Sequence, residues 1–277
     1  SNSTVYSKAI INSPFKAGGN LDIEFVDGYI GDESSVFNVF SHTSSSGTFQ
    51  SIKLPPLTGN WRWTTSNIYL SGTIEIVDQI EWDGGAGDSN ISSASNWQPN
   101  TIPIGNHTLV MDTSSDIITW DSSAITKTKR IKALSGYTGT LNFDSDLEID
   151  TNLEINNSTA TVAQGKTVSV NIQVLLGQKS GETGILNIGG SIFNSPLIQG
   201  GLGTGIINWT SGSLKSKSIE FDVTNNNGIL NPGFEIGDLT ISGNYYQGPG
   251  ATLNIHISGT QSGTFDRVIV KNAISMG

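Results

Sequence analysis

The sequence predicts an all-β protein, a right-handed parallel β-helix with flanking antiparallel, β-sandwich-like strands. Three observations carry that expectation. A surface helix needs apolar residues at i, i+3, i+4 and i+7, and no window of the 277 residues sustains that pattern over three turns. Short runs alternate apolar and polar residues instead, as in Leu21-Asp22-Ile23-Glu24-Phe25, Thr73-Ile74-Glu75-Ile76-Val77 and Asp238-Leu239-Thr240-Ile241. That period of two belongs to strands with one buried face. Finally, a short motif recurs at a nearly fixed interval.

The motif is glycine, two more residues of mostly apolar character, and asparagine. It stands at Gly139-Thr140-Leu141-Asn142, Gly184-Ile185-Leu186-Asn187, Gly205-Ile206-Ile207-Asn208 and Gly228-Ile229-Leu230-Asn231, with a relaxed copy at Ala251-Thr252-Leu253-Asn254. The asparagines are 45, 21, 23 and 23 residues apart, and 45 is close to twice 22. A period of about 20–30 residues is the mark of a solenoid. Without helix, each repeat becomes one β-helical rung. The Leu and Ile positions then stack into an apolar ladder, and the asparagines into a hydrogen-bonded ladder expected at a turn. Ser46-Gly47-Thr48-Phe49 and its echo Ser262-Gly263-Thr264-Phe265 do not fit the interval. They read as antiparallel strands beside the solenoid. The expected division is therefore an antiparallel flanking or capping segment over 1–80. A parallel β-helix with a closing β-structure follows over 81–277.

Composition supports a folded, turn-rich chain. Charged residues are 14% of the total, against roughly 25% in ordinary globular proteins, and 33 glycines help to fill the difference. Glycine and asparagine tolerate the backbone of tight turns, while 35% hydrophobic content argues against disorder. The net charge of −10, with no basic cluster beyond Lys127, Lys129, Arg130 and Lys132, argues against nucleic acid and anionic membrane surfaces as partners. No apolar run approaches the ~20 residues of a membrane span. No segment reads as a signal peptide, so the chain is expected to be mature or excised material. Zero cysteines rule out disulfides and thiolate chemistry. That fits a secreted, extracellular or cell-surface protein.

Several side-chain groups are candidate sites. Asp83, Asp88 and Asn90 lie on the glycine-rich stretch 83–90, and oxygen ligands on a flexible loop suit Ca²⁺. Turns built on Asp and Asn side chains explain the same residues without an ion. Trp61 and Trp63 share one face of a strand and are candidate carbohydrate platforms, with core packing as the alternative. Asp144, Asp146, Glu148 and Asp150 could line one face as in a polysaccharide-degrading β-helix, or form a solvated acidic edge. His42, His107 and His256 show no ligand spacing, and no GxSxG elbow appears. No catalytic residue is expected, and no cofactor beyond the possible Ca²⁺.

Two stretches resemble a β-helical repeat module of very long bacterial surface and autotransporter-like, adhesin-type exoproteins. One runs from Trp82-Asp83-Gly84-Gly85 through Asn96-Trp97 to Pro99 and Pro103. The other runs from Leu230-Asn231-Pro232-Gly233 through Ile236–Ile241 and Tyr245-Tyr246-Gln247 to Gly250–Leu253. Val268, Lys271, Ala273 and Ile274 also echo Val5, Lys8, Ile10 and Ile11. The resemblance implies a structural module of a fibre, matrix or adhesin stalk, partnered by copies of itself or adjacent modules. Its strands would complement one another head to tail, through Val5, Lys8 and Ile10 at one end and Val268, Val270 and Ile274 at the other. A glycan-binding adhesin domain, with or without Ca²⁺, is the alternative, and a polysaccharide-degrading enzyme the third.

Overall fold

A computed structural model describes residues 6–31, 35–59, 61–65 and 67–277. The chain divides into two compact units, Ser1–Gln79 and Ile80–Gly277. Among the described residues there is no α-helix, and one 3₁₀ turn stands at Ala94–Asn96.

The second unit is a parallel β-helix built from three long sheets. Sheet I stacks strands from Thr108–Met111, Arg130–Ala133 and Asn152–Ile155 on to Asp238–Ile241 and Arg267–Val270. Sheet II stacks Ile117–Trp120, Thr140–Phe143, Thr159–Val162, Thr183–Ile188, Thr204–Trp209, Val223–Asn225, Tyr245–Gln247 and Ile274–Met276. Sheet III runs from Lys127–Thr128 and Leu147–Ile149 to Thr252–Leu253. The chain visits the three sheets in turn, and each circuit is one rung.

Alternation along each strand sends every second side chain inward. In sheet I the inward column is Leu109, Ile131, Leu153, Val174, Ile198, Ile219 and Ile241. Leu141, Ala160, Leu186 and Ile207 form one in sheet II, and Val168, Phe193, Leu214 and Leu230 another in sheet III. All are buried, most of them completely. Each Val, Leu, Ile or Phe among them contributes about 1.5–3 kcal/mol of transfer free energy.

The repeat has a structural basis, with two corrections. Asn142, Thr161, Asn187 and Asn208 are in register on sheet II, so the wide first gap holds one extra rung with threonine in the asparagine slot. Asn231 does not continue that column. It lies on sheet III opposite Lys215, and the circuit there is short, because Trp209 already faces Asn225 before a full repeat has passed. Every face of a solenoid needs the same alternation, so a four-residue motif cannot say which face it occupies. The asparagine ladder also lies on the outer faces of strands and not at a turn. Asn208 donates to Asn187 at 2.9 Å, Asn187 to Thr161 at 3.0 Å, and on sheet III Asn254 donates to Asn231 at 3.0 Å. The motif's glycine has a packing reason. A Cβ on Gly184 would lie 2.0 Å from the carbonyl oxygen of Ile155 on the neighbouring rung.

The first unit is built differently from the antiparallel segment expected. Ala9–Ile10 pairs with Phe40–Ser41, Phe15–Ala17 with Ser45–Gly47, and Asn20–Asp22 with Ser51–Lys53, all three in parallel. Val36–Asn38 and Trp61–Thr64 pair antiparallel with Thr73–Trp82. The strands around Leu21 and Ser46 are thus parallel rungs. Alternation looks the same in both modes, so it does not decide between them; parallel pairing needs a long crossover, and the 31 residues between paired strands here supply one. The echo at Ser262–Phe265 does lie in an antiparallel excursion, where Ile257 bridges Phe265.

Candidate functional site

Strand edges are the most prominent chemically unfinished features. In the second unit, Thr252–Leu253, Arg267–Val270 and Ile274–Met276 each pair on one side only among the described residues. In the first unit the same holds for Ala9–Ile10, Phe15–Ala17 and Asn20–Asp22. An unpaired edge is a row of backbone donors and acceptors that templates another strand.

Rung length varies along the chain. Most of the β-helix advances about 22 residues per circuit, as from Leu109 to Ile131. The last circuit is longer in sequence, 29 residues from Asp238 to Arg267 and from Tyr245 to Ile274, because it contains the antiparallel excursion in which Ile257 bridges Phe265. On sheet III the step from Asn231 to Asn254 is an ordinary 23. In the first unit Asn20 faces Ser51, 31 residues on, and Ala9 faces Phe40 at the same separation.

The expected assembly residues fall on or beside these edges. Val268 and Val270 are half-buried against the core, and Ile274 is 56% exposed. Lys8 is exposed and Ile10 is 71% exposed. Val5 lies outside the described residues. The bidentate pair from Arg267 to Asp238 ties the last strand of sheet I to the one beneath it, and that cation holds the Asp238 carboxyl below its usual range.

The loop over 83–90 is organised around Asn96, which is fully buried. Asn96 donates to Asp88 Oδ1 at 2.9 Å and to the Asn90 carbonyl at 3.0 Å, and accepts from the Ala86 N–H. The Asp88 carboxylate also accepts from the Asn90 N–H and the Ser93 hydroxyl, each at 2.8 Å. Those bonds, the Asn90 N–H first, hold its pKa below the usual value. Asp83 accepts from the Gly85 N–H. Among the described residues, no three His, Cys, Asp or Glu side chains converge as metal ligands.

Trp61 and Trp63 share a strand face and are half-buried against the cluster of Phe37, Ile68, Ile74 and Ile76. The Trp63 indole donates to the Pro55 carbonyl at 2.8 Å, and its ring packs 5.7 Å from those of Phe25 and Phe37. Trp82, Trp97, Trp120 and Trp209 are buried in the β-helix. Three members of the acidic run, Asp146, Glu148 and Asp150, are engaged with neighbouring rungs. Lys127 meets Asp150 at 2.7 Å and Glu148 at 3.5 Å, while Asp146 accepts from the Thr167 N–H of the next rung. Nothing in the sequence signals the buried Asp266, which accepts from the backbone N–H groups of Gly237 and His256 and anchors the 257–265 excursion.

No family model, no curated protein and no solved structure matches this chain.

Proposed function

We propose that the chain is a structural module of an extracellular fibre, matrix or adhesin stalk, extended head to tail by strand complementation. The partner is a copy of the same chain or an adjacent module. The observation that carries this reading is that three strands at the far end of the β-helix and three in the first unit are paired on one side only among the described residues. Stacking one on the other would satisfy three strand edges at once and cover Ile10 and Ile274. A heterologous contact of this kind does not close on itself, and so it builds a filament. The resemblance of Trp82–Pro103 and Leu230–Leu253 to modules of bacterial surface proteins points the same way.

Negative-stain electron microscopy over a concentration series tests the reading. Filaments with a regular axial repeat are expected, and Ile10→Asp or Ile274→Asp should abolish them while circular dichroism stays unchanged. Single particles at every concentration would overturn it.

A further inference from the structure

The three faces of the β-helix differ in charge. Strands of sheet I carry Arg130, Lys132, Glu154, Asp238 and Arg267, and strands of sheet III carry Lys127, Glu148 and Lys215. None of the eight strands of sheet II contains a charged residue. In a chain of net charge −10 this is the face with the least barrier to a like-charged neighbour.

The chemistry of that face is ordered. One outward column is Thr119, Asn142, Thr161, Asn187 and Asn208, and the other is Ile117, Thr140, Thr159, Ile185 and Ile206. The bonds from Asn208 to Asn187 and from Asn187 to Thr161 fix the amides before any partner arrives. Side-chain ladders of this kind keep a sheet flat. Spacing is about 4.8 Å between rungs and about 6.6 Å between the columns of one strand.

We propose that the outward face of sheet II is a lateral contact surface for a second copy of this chain, pairing like with like across a two-fold axis. A second copy carries the same axial spacing, so donors, acceptors and methyl groups meet in register along the whole column. Two sheets packed about 10 Å apart interdigitate their outward side chains, as identical asparagine and aliphatic ladders do in zipper interfaces. Area sets the strength. Eight rungs of about four residues cover on the order of 500 Å² per partner, below the roughly 800 Å² of a stable pair. Single modules therefore associate weakly, and rows of modules associate by avidity. The function is lateral bundling, and it rests on the fibre reading for its biological scale. Asp116, Asp121 and Asp144 follow or precede strands of the face. Their repulsion makes added salt strengthen the contact.

The absence of native cysteine gives a clean test in the full chain. Asn208→Cys places an exposed thiol near the middle of sheet II, and Ile192→Cys places one on sheet III. On mild oxidation, N208C should form covalent dimers several-fold faster than I192C. Added NaCl should raise the rate, and Asn187→Lys in the N208C background should bring it down to that of I192C. Equal rates for N208C and I192C would overturn the proposal. Filaments in the microscope that stay single, with equal rates, would sink bundling and leave the fibre reading intact. Fast N208C dimers without filaments would do the reverse.

Discussion

The two units stack parallel rungs to different depths. In the β-helix, rungs of about 22 residues bury columns of Val, Ile and Leu together with large aromatics such as Trp97, Trp120, Phe143, Phe193 and Trp209, most of them with no exposure. In the first unit, the step from one rung to the next is 31 residues. Aromatic rings do much of the filling there: Phe15, Phe40, Phe49 and Tyr69 stack in series at 5.2, 5.8 and 5.9 Å. Even so, its buried apolar cluster is small, Phe37, Ile68, Ile74 and Ile76. A cavity of about 610 Å³ remains among side chains such as Leu21, Ile23, Phe25 and Phe40. Stability of stacked repeats is a sum of rung and nearest-neighbour terms. A unit whose parallel sheets are pairs gains few of those terms, and one whose sheets run seven strands deep or more gains many.

The largest expected effect follows from that difference. Leu186 is fully buried between Ala160 and Ile207. Leu186→Ala should cost about 2–5 kcal/mol in urea unfolding. Ile52 in the first unit is half-buried, and Ile52→Ala should cost less than half as much on the transfer term alone. Native-state hydrogen exchange should give the same order, with amides around Leu186 opening near the global free energy and those around Ile52 well below it. Equal costs at the two sites would mean that depth of stacking does not set stability here.

A second break point lies within the β-helix, at its short circuit. Asn225 is fully buried and closes the turn by accepting from the Gly228 N–H at 2.7 Å and donating to the Gly228 carbonyl at 3.2 Å. A Cβ on Gly228 would sit 2.0 Å from Trp209 Nε1. Gly228→Ala should therefore cost about 1–3 kcal/mol through overpacking, read as a lower urea midpoint at an unchanged slope. No loss at all would show that Trp209 can move aside, and that the interior of the second unit is looser than its burial implies.

That circuit also shows where the sequence stops being legible. Alternation and the recurring motif were enough for strands, rungs and an approximate period, because each depends on neighbours in sequence. The shortened step from Trp209 to Asn225 was hidden, since the next motif returned on the usual interval but on a different sheet. The parallel rungs of the first unit were hidden too, because Leu21 and Ile52 alternate with polar neighbours in the same way whichever direction their partners run. Of the candidate site residues, Asp88 could be placed on a turn. The partner that organises that turn, Asn96, is set by packing further along the chain.

Smaller effects belong to the outer ladder. Asn187→Ala removes bonds to Thr161 and Asn208 on a partly exposed face. The expected loss is about 1 kcal/mol. Asn20 and Ser51 bond across an exposed parallel pair of the first unit at 2.9 Å. Ser51→Ala should cost less than Asn187→Ala, since one isolated bond replaces a chain of them. A larger loss at Ser51 would reverse the ranking of the two units at their surfaces.

The smallest effect expected is the pH dependence, and it sharpens the comparison by its location. Asp88, Asp116, Asp222, Asp238 and Asp266 all have lowered pKa values, and all lie in the second unit. The cause at Asp222 is the N–H of Asn244 on the next rung, followed by the Asn244 side-chain amide. At Asp266, burial pushes the pKa up, but the N–H groups of His256 and Gly237 outweigh it. A carboxylate whose folded pKa lies below its unfolded value of about 3.9 stabilises the fold above that pH. The contribution disappears as pH falls through the folded value. The melting temperature should accordingly hold from pH 7 to about 4 and then drop. Exchange protection should fall first at rung junctions such as Asp222–Asn244. Asp222→Asn keeps an acceptor for the Asn244 N–H and removes the titration, so it should flatten part of the acid slope. An unchanged slope in that variant would mean that the carboxylates joining successive rungs do not link pH to the stability of the β-helix.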